Sequence, residues 1–211
     1  MEEKILLEKL KNAIERATKN IIMINSFNSY ISFGTTTGEE KTEYFEQLEA
    51  LVKAMIYHEM INEGIPMADI SMEIQIANKI QERMHFDLYI SNVICDDKAN
   101  EFFIEVKTFA TYRKKEEEND IRGIVGKDGK GTIYSDIKKL NTAVNESKVK
   151  AIMIIVDQSQ YIEDVDHVNI IINELKNLLI KENYYNNILF AVADNSRSVI
   201  ISASEIRGYK A

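Results

Sequence analysis

Apolar residues recur at helical spacing in the first third of the chain and at strand spacing in the middle. Over residues 3–24, Ile5, Leu6, Leu10, Ile14 and Ala17 fall three and four apart, which predicts an amphipathic helix. The NSFNSYISFGTTTG stretch that follows is turn-rich. A second helix is predicted over 42–62 from Phe45, Leu48, Val52, Met55 and Ile56, and the Glu63-Gly64-Ile65-Pro66 punctuation ends it. The period then changes to two. In ISMEIQIA, Ile70, Met72, Ile74 and Ile76 alternate with Ser71, Glu73 and Gln75, the signature of a half-buried strand. HFDLYI and EFFIEVKTF predict two more strands around the turn-like CDDKAN, so a three-strand antiparallel meander is expected.

After the meander, residues 110–131 form a charged, glycine-containing connection, longer than a compact domain usually carries without a functional reason. IYSDIKKLNTAV then reads as a helix, VKAIMIIVD as a buried strand, VDHVNIIINELKNLLI as a helix, NNILFAVAD as another buried strand and SVIISA as a last one. A meander followed by crossovers predicts one α/β domain over 1–211: a mixed sheet flanked by helices, with 1–41 as an N-terminal helical extension.

Composition adds limits. Hydrophobic residues make up 45% of the chain and charged residues 28%, as in ordinary globular domains. No apolar run approaches the roughly 20 residues of a membrane span. The acidic N-terminus lacks the basic region of an export signal, so a cytoplasmic protein is expected. Cys95 stands alone, which leaves no disulfide partner and no zinc-finger spacing. The net charge of −8 is unevenly spread. Residues 107–150 hold eleven Lys or Arg against seven acids, a surplus of four that leaves the remainder at −12.

The charges on the middle strands need a reason. Side chains alternate on a strand, so Glu105 and Lys107 share a face with Phe103 and Phe109, roughly 7 Å apart along the strand. On the preceding strand Phe86, Leu88 and Ile90 are expected on one face, with His85, Asp87 and Tyr89 on the other. A hairpin register that joins the polar faces brings Asp87 to Glu105, and two carboxylates that close repel unless a cation lies between them. Mg²⁺ suits such a place, because it takes few carboxylates together with waters and phosphate oxygens. Lys107 would hold a phosphate or help activate water. Glu-x-Lys alone means little, since it occurs five times, starting at Glu2, Glu39, Glu105, Glu146 and Glu174. Only the copy at Glu105 falls on an interior strand after a strand bearing an Asp. The bland alternative is an edge strand with Glu105 and Lys107 as a surface pair, which would leave aromatic residues exposed at the edge.

An Asp on one strand and Glu-x-Lys on the next, here Phe86-Asp87-Leu88 and Ile104-Glu105-Val106-Lys107-Thr108, resembles the PD-(D/E)XK nuclease superfamily. The resemblance covers about residues 42–157, and the proline that leads the pattern is absent, since His85-Phe86 precede Asp87. It implies a restriction-endonuclease-like fold and a Mg²⁺-dependent endonuclease acting on DNA, with Mn²⁺ able to substitute. Asp87 and Glu105 are then metal ligands, and Lys107 lies near the nucleophilic water. The superfamily often adds a glutamate from the helix before the meander. Glu49 is the preferred candidate, with Glu46 and Glu59 as alternatives; Glu73 is either a supporting acid or a solvated strand residue. Lys127, Lys130, Lys138 and Lys139 are the expected phosphate-contacting stripe. A homodimer is expected, since cutting two strands takes two sites. The rival class is a nucleic-acid-binding or assembly module that keeps the fold without cutting.

Other chemistries find no footing. His58, His85 and His167 lack metal-binding spacing, no G-x-S-x-G elbow is present, and GIVGKDGKGT lacks the P-loop step.

Overall fold

The computed structural model describes residues 1–28, 38–77, 83–95, 98–109, 132–147, 149–158, 166–182, 187–194 and 196–209. Two helices, α1 (Glu3–Asn28) and α2 (Gly38–Asn62), precede a meander of β1 (Ile70–Ala77), β2 (Arg83–Cys95) and β3 (Lys98–Phe109). There follow α3 (Ile133–Ser147), β4 (Lys150–Asp157), α4 (His167–Glu182), β5 (Ile188–Ala193), β6 (Ser198–Ser202) and α5 (Ala203–Gly208). The six strands form one sheet in chain order, β1 to β6. Pairing is antiparallel within the meander, parallel for β3–β4 and β4–β5, and antiparallel again for β5–β6. The expected mixed α/β sheet with flanking helices is what the chain forms.

Each parallel step requires a crossover, and α3 and α4 supply them on one face of the sheet. Their apolar stripes, Ile133, Ile137, Leu140 and Val144 on α3 and Val168, Ile171, Ile172 and Leu175 on α4, pack with Ala151, Met153 and Ile155 of β4. The alternate residues Ile152, Ile154 and Val156 face α1 and α2. A strand buried on both faces must read as a continuous apolar run, and AIMIIV, residues 151–156 of β4, does. The segment read as an N-terminal extension contributes α1 to this second core: Leu6, Leu10, Ala13, Ile14, Ala17 and Ile21 are fully buried there. Stripping the four large side chains among them from the core would cost on the order of 10 kcal/mol, comparable with the whole net stability of a domain.

At the far end of β4, Asp157 and His167 are buried and paired through Nδ1, tying the strand to the start of α4. Among the described residues no helix is long and apolar enough to cross a membrane.

The meander departs from its expected regularity. Phe86 packs in the α3/α4 core, whereas Leu88 and Ile90 pack in the α1/α2 core, so the three do not share a face. β1 does the same: Ile70 belongs with α1 and α2, while Ile74 and Ile76 pack toward α3 and α4. The switch falls at Glu73 and Asp87, the one interior position missing from the β1–β2 register between Met72–Leu88 and Ile74–Phe86. Glu73 has φ +49°, a left-handed conformation that costs a non-glycine residue on the order of 1 kcal/mol or more. A simple period-two reading cannot register such a residue.

Candidate active site

The break in the ladder creates the site. Pairing between β2 and β3 runs no further than Leu88–Ile104. One residue on, Asp87 and Glu105 come opposite each other. Instead of a backbone partner, the Val106 N–H donates to Asp87 Oδ2 at 2.7 Å. The Asp87 carboxylate thus fills a gap in the sheet and is fixed by it. The expected meeting of Asp87 with Glu105 is present, and its field acts on Glu105.

Both helical layers reach this opening. From α2, Lys53 Nζ bridges Asp87 Oδ1 at 3.0 Å and Glu73 Oε1 at 2.9 Å. One turn earlier, Glu49 pairs with Lys107 at 2.9 Å. From α3, Lys139 lies 2.6 Å from Glu105 Oε1, donates to the His85 carbonyl at 2.8 Å, and stands over the Phe86 ring at 5.4 Å. Phe86 in turn stacks on Phe103, with ring centroids 4.6 Å apart, forming an apolar floor beside Glu105. Asp136, one turn before Lys139, senses the charges of Lys107, Lys139, Glu49 and Asp87.

Burial and crowding perturb these groups strongly. The Glu105 side chain is only 5% exposed. Desolvation, helped by the Asp87 charge and only partly countered by Lys139, pushes its carboxyl up to about 8. Desolvation likewise raises Asp136 to about 6 against the pull of Lys107 and Lys139. Burial disfavours the charge on Lys107, but Glu49, through its field and its hydrogen bond, outweighs it, and the ammonium's pKa is raised. Lys53 is also raised: burial opposes its charge, and Glu73 and Asp87 together more than offset it. Lys53 and Lys107 are therefore firmly cationic, whereas Glu105 and Asp136 titrate near neutrality, a pattern concentrated at functional sites.

Of the residues predicted from the sequence, Asp87, Glu105, Lys107 and Glu49 converge here, and so does Lys139. Glu73 joins through Lys53. Glu59 turns away: it is buried between α1 and α2, where Asn20 and Asn62 donate to its carboxylate. Lys138 packs its ammonium on the Tyr134 ring at 4.0 Å. Lys127, Lys130 and the loop 110–131 lie outside the described residues, as does the side chain of Glu46. Lys53 and Asp136 are the members that pattern reading missed. Their signal was present but weak, for Lys53 sits four residues after Glu49 and Asp136 three before Lys139, spacings that put each pair on one helix face.

The donor set suits a hard divalent cation, since it offers carboxylate oxygens only, and Glu105 Oε1 is buried without a well-aligned hydrogen bond despite the nearby ammonium. Among the described residues no three His, Cys, Asp or Glu side chains are gathered as a ready ligand cluster. Ammonium groups stand at Asp87 and Glu105 instead. No family model matches the chain, and neither does any curated protein or solved structure.

Proposed function

We propose that this protein is a Mg²⁺-dependent endonuclease that hydrolyses DNA phosphodiester bonds on a restriction-endonuclease-like fold. One observation carries the reading: a buried glutamate and an aspartate face each other where two strands part, with a lysine two residues further along the same strand. Burying like charges in this way is costly without a task for them. A meander followed by a parallel crossover strand, with helices on both faces, supports the fold assignment.

In this reading Asp87 and Glu105 would hold the cation, which would supply charge neutralisation and make a water more acidic. Lys107, kept protonated by Glu49, is a donor to a phosphate oxygen rather than a proton acceptor. Asp136 is the group on hand to take a proton near neutral pH, since its carboxyl titrates at about 6. Cutting both strands calls for two such sites, so a homodimer belongs to the proposal.

The second reading, a DNA-binding or assembly module without catalysis, is favoured by the lysines themselves. With Lys53 on Asp87, Lys107 on Glu49 and Lys139 on Glu105, each of these three carboxylates has an ammonium partner without any metal.

Nicking of supercoiled DNA separates the two. Cutting with Mg²⁺ or Mn²⁺, none with chelator, and a loss of about a hundredfold in Lys107→Ala are expected of the nuclease, at the lower end of what a positioned proton-handling or charge-stabilising side chain contributes. DNA binding that ignores the metal, with no nicking by a folded protein, would transfer the assignment to the module.

A further inference from the structure

Among the described residues Lys53 is matched to Asp87 and Glu73, Lys107 to Glu49 and Lys139 to Glu105, and the lysine on Glu105 differs from the other two. Lys53 bridges two carboxylates from inside α2, and Lys107 belongs to the strand itself. Lys139 comes from α3, remains 28% exposed, and has three contacts: an ion contact to Glu105, the His85 carbonyl and the face of Phe86. Its contact with Glu105 is close but poorly aligned, because Oε1 has no partner in hydrogen-bond geometry. An ammonium held this way neutralises the carboxylate without satisfying it.

We infer that Lys139 is an internal counter-cation. It occupies the metal's place at Glu105, competes with the incoming cation for that carboxylate, and on being displaced turns its ammonium toward a phosphate of the bound nucleic acid. The inference rests on the nuclease reading and adds to it a regulatory step. Metal and substrate load cooperatively, because the metal frees the lysine that the phosphate needs. Lys139 is then a positioning residue whose removal acts in opposite directions on two ligands. Without it the metal no longer competes for Glu105 and binds more tightly, while the nucleic acid loses a phosphate partner and binds more weakly. A lysine that only stabilised the fold, or only touched phosphate, would not give this opposed pair.

The test measures binding rather than cleavage. At pH 8.5, above the value of about 8 to which burial pushes the Glu105 carboxyl, Mn²⁺ is titrated calorimetrically into wild type, Lys139→Met and Lys139→Gln, with Lys176→Met as a control, since Lys176 lies on α4 and donates to the Tyr209 carbonyl. A short DNA duplex is then titrated in the presence of Ca²⁺. Both Lys139 variants are expected to bind Mn²⁺ at least about fivefold more tightly, the lower end of coupling between linked sites, and to bind the duplex more weakly. Lys139→Gln keeps a donor for the His85 carbonyl and guards against a folding defect in the methionine variant. Mn²⁺ affinity that is unchanged or weakened in both folded variants, while wild type binds the metal and cuts, would overturn the exchange and leave the nuclease reading in place. No Mn²⁺ binding by any of the proteins would overturn both.

Discussion

Replacing Glu105 with glutamine is expected to stabilise the metal-free protein at pH 8 and to remove most of the pH dependence of its stability between pH 6 and 8. Burial and the Asp87 charge raise the Glu105 carboxyl from an ordinary value of 4.5 to about 8 in the folded chain. Between those two values the folded state keeps a proton that the unfolded chain has released. Stability therefore falls as pH rises through this window and levels off above it. Each pH unit is worth about 1.4 kcal/mol, so the whole effect is on the order of 3–5 kcal/mol. For a domain of this size that is a melting-temperature change of roughly 10 °C. Asp136, raised from 3.8 to about 6, contributes in the same direction at the acidic end of the range. Glutamine copies the protonated acid in shape, so Glu105→Gln should retain the Asp136 portion below about pH 6 and lose the portion above it. Calorimetric melting in chelator from pH 5 to 8.5 checks this. A wild-type melting temperature that is flat from pH 6 to 8 would mean that Glu105 is solvated, and with it would go the principal reason for a function at this place.

The pairing of Asp87 with Glu105 and the placement of Lys107 were legible in the sequence because strand alternation and hairpin register are local rules. Two strands joined by a short turn leave little choice of partner, and an interior Glu-x-Lys stands out against apolar neighbours. The face switch at Glu73 and Asp87 was not legible. No glycine marks it, and the left-handed φ at Glu73 is adopted in a context where Lys53 anchors its carboxylate from α2. That anchor is tertiary, and periodicity carries no information about it. The same holds for the lysines. Helices α2 and α3 carry charges on most turns, and only packing decides that Lys53 and Lys139 point inward while Lys138 lies on Tyr134. The amphipathic stripe of α1 was plain in the sequence, but that it covers a sheet face rather than an external surface depends on which apolar area β4 and β5 leave open. The short helix α5 could have been read: Ser202 and Glu205 form a capping box, and the S-x-x-E spacing lies in the sequence where the last strand was extended to Ala203.

Asp87→Asn is expected to reduce metal-dependent cleavage by about a thousandfold or more while leaving the fold in place, since losing a ligand charge forfeits several kcal/mol of stabilisation of the transition state. The choice of asparagine follows from the ladder. Asp87 Oδ2 is the acceptor for the Val106 N–H, and alanine would orphan that donor at a cost of about 1–3 kcal/mol, confusing a structural loss with a chemical one. Asparagine keeps an acceptor oxygen for Val106 and removes the charge; its amide nitrogen replaces the oxygen that accepts from Lys53, and Lys53 retains Glu73 as its partner. The loss of the charge should also be felt across the strand gap. Asp87 is one of the causes that raise Glu105, so in Asp87→Asn the stability transition assigned to Glu105 should move to lower pH. The two readouts are independent, because the melting profile needs neither metal nor DNA. A variant that cuts as well as wild type would remove Asp87 from the chemistry even if the pH transition moved. A transition that stays in place would mean that the two carboxylates do not share one opening, and Glu105 would then need another explanation for its burial.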